Sequence, residues 1–133
     1  MVAGRRTVIT QIVHPPGLLR PFRPPVGARG AQVGHLEMSN AAGFERFSVH
    51  EAELNQGLLV GRYERCQVGS RDDKMSRVHL LLIRDRDEVW AVDTGSTNGT
   101  TARGEPVRRV KMSDGMVLVL AEDIALRWHV TAG

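Results

Sequence analysis

Between residues 76 and 100 the chain reads Ser76-Arg77-Val78-His79-Leu80-Leu81-Leu82-Ile83-Arg84-Asp85-Arg86-Asp87-Glu88-Val89-Trp90-Ala91-Val92-Asp93-Thr94-Gly95-Ser96-Thr97-Asn98-Gly99-Thr100. Two apolar runs, 78–84 and 89–92, have strand length and composition, and the charged stretch Asp85 to Glu88 reads as the turn between them. The first run is apolar almost throughout, as in a strand buried on both faces. Polar clusters flank the pair. Ser76-Arg77 precedes it, and a loop of Gly, Ser, Thr and Asn follows Asp93. Upstream, Leu58-Leu59-Val60 leads straight into Gly61-Arg62. These clusters are rich in donors that suit an oxyanion, and each adjoins a strand. The inference is a sandwich of strands whose loops meet at one end around a small anionic site.

The flanking segments extend the β reading. Residues 35–39 and 44–49 bracket Asn40-Ala41-Ala42-Gly43, a hairpin turn. Phe44, Phe47 and Val49 do not alternate cleanly, so the second of these strands is expected to carry a bulge. Short strands follow at 107–110 and 116–120, joined by the turn Ser113-Asp114-Gly115. Residues 124–130 alternate, with Ile124, Leu126, Trp128 and Val130 on one face. No window shows a capped helical period, and Glu51 to Gln56 is too short to weigh. Many short strands at such intervals predict an all-β, two-sheet sandwich.

Residues 1–34 differ. They hold Arg5, Arg6, Arg20, Arg23 and Arg29, no acidic residue, and five of the six prolines. They read as a basic, Pro/Arg-rich arm or linker, with β-branched residues 7–13 able to add an edge strand. The sandwich is assigned to 35–133. Such an arm suits nucleic acid or a partner groove, but Phe22 is its only aromatic, so a stacking platform is not supported and a solvated tail is the expected state.

The 133 residues fit one domain, and 41% hydrophobic with 25% charged residues is ordinary for a globular chain. No apolar run reaches the ~20 residues of a membrane span, and no secretory signal opens the chain. Cys66 is the only cysteine, which excludes an internal disulfide and points to a reducing, cytoplasmic setting. A net charge of +3 suits anionic partners.

Residue by residue, Arg62 offers a planar fork matched to phosphate or carboxylate. Its rival role is a surface ion pair, with Asp93 as a candidate partner. Ser76 brings a hydroxyl and nearby backbone N–H groups, and Arg77 a second charge. His79 is expected to bond across to a neighbouring loop and hold it. Gly95 and Gly99 permit backbone angles closed to other residues. Thr97 lies between them, and Asn98 carries both a donor and an acceptor for an extended peptide. Ser76, His79 and Asp93 include the residue types of a hydrolase triad, but there is no nucleophile elbow and no phosphate-loop or dinucleotide fingerprint, so an enzyme is not expected. The five histidines are scattered along the sequence, so no metal site and no cofactor are expected.

Together, Gly61-Arg62, Ser76-Arg77-x-His79 and Asp93-x-x-Ser96-Thr97-Asn98-Gly99-Thr100 resemble the signature of the forkhead-associated (FHA) family, in order and in spacing. The resemblance covers roughly residues 35–130. It implies an FHA-type β-sandwich whose end loops bind phosphothreonine peptides and so recruit phosphorylated partners, a Ser/Thr kinase or its substrate. Carried onto this chain, Arg62, Ser76, Arg77 and Thr97 would hold the phosphate. Asn98 would bond the peptide backbone, and Gly61, His79 and Gly99 would shape the loops. The chain departs after Thr100, where the family often has a second Asn-Gly and this sequence has Thr101-Ala102-Arg103-Gly104, which leaves that turn's shape and the peptide selectivity open. Flanking specificity is expected from 63–75 and 101–109, whose basic excess favours acidic peptide residues. The competing reading is a scaffold of the same fold that binds an unphosphorylated partner through a sheet face or edge. Nucleic acid and membrane are not expected partners.

Overall fold

The computed structural model describes residues 30–131. Residues 1–29 of the basic arm, with the expected strand at 7–13, lie outside the described residues, and the first strand begins at Gln32, inside the stretch assigned to the arm. Eleven strands and one short helix follow in the order β1 (Gln32–Asn40), β2 (Gly43–His50), α1 (Glu51–Gln56), β3 (Leu58–Gly61), β4 (Val68–Gly69), β5 (Leu80–Asp85), β6 (Glu88–Asp93), β7 (Thr100–Ala102), β8 (Glu105–Pro106), β9 (Arg109–Met112), β10 (Val117–Leu120) and β11 (Ile124–Val130). They form two sheets, one of six strands ordered β2-β1-β11-β10-β7-β8 and one of five ordered β4-β3-β5-β6-β9. Every described pairing is antiparallel except β3 with β4.

The core lies between the sheets and follows the two-residue period of the strands. Leu36, Met38, Phe47, Val49, Leu118, Leu120, Leu126 and Trp128 enter from the first sheet, and Leu58, Val60, Leu80, Leu82 and Ala91 from the second. β11 keeps the predicted bounds and alternation, but Val130 at its end is exposed. β5 differs from expectation. Leu80 and Leu82 are buried, whereas Leu81 and Ile83 are only partly covered. The outer face is shielded sideways by cross-strand neighbours, Leu59 and Val92 beside Leu81 and Trp90 beside Ile83.

Asn40 and Gly43 close the β1–β2 hairpin, and the Asn40 carboxamide oxygen accepts the N–H groups of Ala42 and Gly43. The irregularity expected in β2 falls instead on β1. Gln32 pairs with His50 and Gly34 with Val49, leaving Val33 as the extra residue. Residues 51–56 form a helix that the sequence alone did not identify. It has a single buried apolar anchor, Leu54, and the Glu53 carboxylate accepts the His50 N–H at 2.7 Å. Too few turns are present for a periodic signal.

Arg103 and Gly104 turn the chain between β7 and β8 with φ of 54° and 80°. Two positive φ angles belong to the type I′ turn that Asn-Gly also adopts. The expected departure at this point is therefore one of residue type, with the hairpin geometry retained.

Candidate functional site

Three loops meet at one end of the sandwich, and their contacts begin with a glycine. Past Gly61 the chain runs against residues 75–78. Arg62 N–H donates to the Ser76 carbonyl and Tyr63 N–H to the Arg77 carbonyl, both at 2.9 Å. A Cβ on Gly61 would overlap the Arg77 carbonyl oxygen and stand 2.9 Å from Val78 Cα, so only glycine admits this approach. Arg62 is then oriented by its own side chain, whose Nε–H donates to the Met75 carbonyl at 2.9 Å. The expected alternative, a pair with Asp93, does not form, because both Asp93 oxygens are occupied within their own loop.

That loop is built on Asp93. One carboxylate oxygen accepts the N–H groups of Gly95 and Ser96, and the other accepts the hydroxyls of Ser96 at 2.6 Å and Thr100 at 2.7 Å. Burial raises the carboxyl's pKa, but the bonds from Ser96, Thr100 and Gly95 outweigh it and hold Asp93 below its ordinary value. Gly95 and Gly99 take φ of 90° and 83°, the left-handed region expected of them.

His79 and Ser76 tie the loops together. His79 is fully buried. Its Nδ1 accepts the Ser76 N–H at 3.2 Å, and its Nε2–H faces the Gly99 carbonyl at 2.9 Å. One nitrogen accepts and the other donates, which is the pattern of neutral imidazole. Burial lowers the His79 pKa, against smaller opposing effects of Gly99 and Asp93. The Ser76 hydroxyl oxygen accepts the Thr97 N–H at 2.9 Å, which leaves the hydroxyl proton to be donated outward. His79 touches the Ser76 backbone and not its hydroxyl, so the pair is not arranged as a nucleophile and base.

Arg62, Ser76, Arg77, Val78, Thr94 and Thr97 line an open cleft of about 400 Å³. Its lining holds two arginines and three hydroxyl residues and no acidic residue. The family profile described as an FHA domain matches residues 58–121, a span that contains every one of these residues. Residues 58–121 are an FHA domain.

Solved structures agree. An FHA domain described for phosphothreonine-dependent interactions is 25% identical, with a TM-score of 0.65 over 76% of this chain and 99% of that one. The FhaA FHA domain, solved in complex with the intracellular domain of Rv3910, is 28% identical, with a TM-score of 0.59 over 71% of this chain and 99% of that one. The first FHA domain of Rv1747 from Mycobacterium tuberculosis is 25% identical, with a TM-score of 0.59 over 75% of this chain and 99% of that one. No curated protein matches the chain.

Within the FHA domain, the residues singled out from the sequence fall into two groups. Arg62, Ser76, Arg77 and Thr97 line the cleft, while Gly61, His79 and Gly99 lie behind it as supports. Asn98 differs from both. Its amide donates to the Lys74 carbonyl at 2.8 Å, so it braces the 70–79 loop as well as standing exposed at the rim. Val78 and Thr94 were not singled out as site residues. Thr94 is fixed by its hydroxyl on the Val78 carbonyl at 2.8 Å. The Asp93-x-x-Ser96 spacing, an Asx-type turn, was the available signal for how this loop is held. Part of the basic excess expected to read acidic flanks is already engaged. Lys74 pairs with Asp123, and the Arg109 guanidinium lies 5.0 Å from the centre of the Trp90 ring.

Burial pushes the Cys66 thiol up to about 12, and its sulfur contacts the Arg77 carbonyl at 3.4 Å, so it acts as packing beneath the site. Among the described residues no helix is long and apolar enough to cross a membrane. The histidines, scattered in sequence, are partly gathered by the fold, with His35 and His129 side by side on the six-stranded sheet.

Proposed function

We propose that this FHA domain binds phosphothreonine in partner proteins and recruits them in response to a Ser/Thr kinase. One observation carries the reading: Arg62, Ser76, Arg77 and Thr97 share a single cleft that has cationic and hydroxyl donors and no lining acid. A phosphothreonine carries about −1.5 to −2 charges at neutral pH and three acceptor oxygens, which such a lining can meet with charge-assisted bonds. Arg62 and Ser76 hold the phosphate in this reading. Arg77 adds charge, Thr97 lines the site, and Asn98 at the rim meets the peptide backbone through its carbonyl oxygen while its amide holds Lys74. The FHA domains similar to this one include one described for phosphothreonine-dependent interactions and one in complex with an intracellular protein domain, which supports the partner class. FHA domains are interaction modules, and no catalytic role is assigned. A reducing, cytoplasmic setting goes with the reading, since Cys66 is buried and unpaired.

Val78 supplies the apolar surface next to these donors. It lines the cleft beside Thr94 and is placed to receive the threonine methyl, which favours phosphothreonine over phosphoserine.

Affinity capture from a lysate, with and without phosphatase treatment, tests the proposal. Partners are expected to be lost on dephosphorylation. Capture that survives phosphatase and survives Arg62→Ala would assign the domain to the scaffold class, with binding through a sheet face or edge.

A further inference from the structure

The six-stranded sheet carries a second cluster on its outer face. His35 in β1 lies directly opposite His129 in β11, and Glu37 projects from the same face of β1 two residues on. The imidazole rings stack, with centres 4.6 Å apart and planes 24° apart. Both turn Nε2 toward the one carboxylate. His129 Nε2 is 3.1 Å from one Glu37 oxygen, and His35 Nε2 is 3.6 Å from the other. One ligand atom from each residue can be chosen so that all three lie within 4.8 Å of one another.

We propose that His35, Glu37 and His129 form a binding site for a divalent transition-metal ion of the zinc class. Two imidazoles and one carboxylate are a donor set that zinc accepts, with ligand atoms about 2.0–2.1 Å from the metal. Tetrahedral ligands at that radius are about 3.3 Å apart. The 3.1 and 3.6 Å distances run to the two different Glu37 oxygens, and one ligand atom from each residue lies within 4.8 Å of the others, so the side chains draw together by rotation to reach this spacing. The three residues stand on two paired strands, which hold their Cα positions more tightly than a loop would. They are accessible, with side chains 25%, 19% and 31% exposed for His35, Glu37 and His129. Three protein ligands leave the fourth position to water or to a donor from another molecule.

A competitor is built in. The Arg46 guanidinium, on neighbouring β2, donates to the same Glu37 carboxylate at 3.1 Å. Its side chain is 60% exposed, so it can swing away when a metal ion takes the carboxylate. The bound ion would link β1 to β11 and stabilise their register, since a ligand that binds the folded state raises its melting temperature.

Titration calorimetry of the full chain with zinc chloride tests the site, with thermal melting of each apo variant as a check on folding. Saturable one-to-one binding is expected. Removing an outer partner of a metal site typically costs about 10–100-fold, so His35→Ala, His129→Ala and Glu37→Ala should each lose at least about tenfold. Arg46→Ala should tighten binding, and His14→Ala in the arm should leave it unchanged. Zinc should raise the melting temperature of the wild type and not that of the His35→Ala/His129→Ala double variant. Equal zinc affinity in that double variant, loss of binding on His14→Ala, or no saturable binding by the wild type would overturn the proposal.

Discussion

The hydroxyl oxygen of Ser76 accepts the backbone N–H of Thr97 across 21 residues of sequence, at 2.9 Å. This bond joins the loop before β5 to the loop after β6 and fixes the hydroxyl so that its proton points away from Thr97. Ser76→Ala removes the tie and the donor together. The expected loss in phosphothreonine-peptide affinity is about 2 kcal/mol, roughly thirtyfold, with about 1 kcal/mol lost in stability. Calorimetry and urea denaturation on the same samples separate the two effects.

His79 supports both loops from beneath. His79→Ala should cost about 2–4 kcal/mol, because it leaves a cavity and strips the Ser76 N–H of its buried acceptor. The pH dependence follows from the lowered pKa. The unfolded chain takes up a proton near the ordinary value of 6.5, while the folded imidazole resists it. Stability is full above 6.5 and falls as the pH drops from there toward the folded pKa, and His79→Phe should flatten that part of the profile. Asp93 acts lower. Its folded pKa is depressed, so its contribution is present above 3.8 and is lost as the pH falls through the folded value. Denaturation midpoints between pH 3 and 8 test both.

Gly61→Ala should be among the most damaging single-methyl substitutions in the domain. The added carbon meets backbone at Arg77 and Val78, which cannot rotate aside as a side chain would. A loss of about 3 kcal/mol, at the upper end of overpacking costs, is expected in denaturant unfolding, together with weakened peptide binding, since the residues displaced adjoin Ser76.

Arg103→Asn should stabilise the protein. Arginine sits at a φ of 54° in a type I′ turn, where asparagine is favoured, and its side chain is exposed. A gain of about 0.5–1 kcal/mol is expected in denaturant unfolding.

Val78→Ala should narrow the preference for phosphothreonine over phosphoserine by about 1 kcal/mol, the worth of one methyl in an apolar niche. Paired peptides differing only in that methyl measure it directly.

What the sequence disclosed follows from the range of the interactions involved. The alternation of Ile124, Leu126 and Trp128 is local, and it places β11 correctly. The turn Asn40 to Gly43 and the Gly-rich loop at 95–99 also carry their geometry in their own residues. The cleft was legible because its chemistry is concentrated in short clusters beside strands. Cross-strand partners were not. His35 and His129 are far apart in the chain and meet only through the β1–β11 register. The tie from Asn98 to Lys74 depends likewise on how two loops pack. The bulge at Val33 answers to pairing with β2, and nothing local to Phe44 or Phe47 announces it. Helix α1 is held by Leu54 and by Glu53 on the His50 backbone, anchors too few to leave a period.

In the proposed function Arg62 is the cation on which phosphate recognition rests; it is oriented by the Met75 carbonyl and lines the cleft with Ser76 and Thr97. Titration calorimetry with one phosphothreonine peptide selected from a library, comparing wild type and Arg62→Ala, is the most direct measurement. Losing one partner of a charged, bonded pair costs about 2–5 kcal/mol, so binding should fall below detection in the variant while its melting temperature stays close to that of the wild type. Equal affinity of wild type and Arg62→Ala for the phosphorylated peptide would contradict phosphate recognition at this cleft.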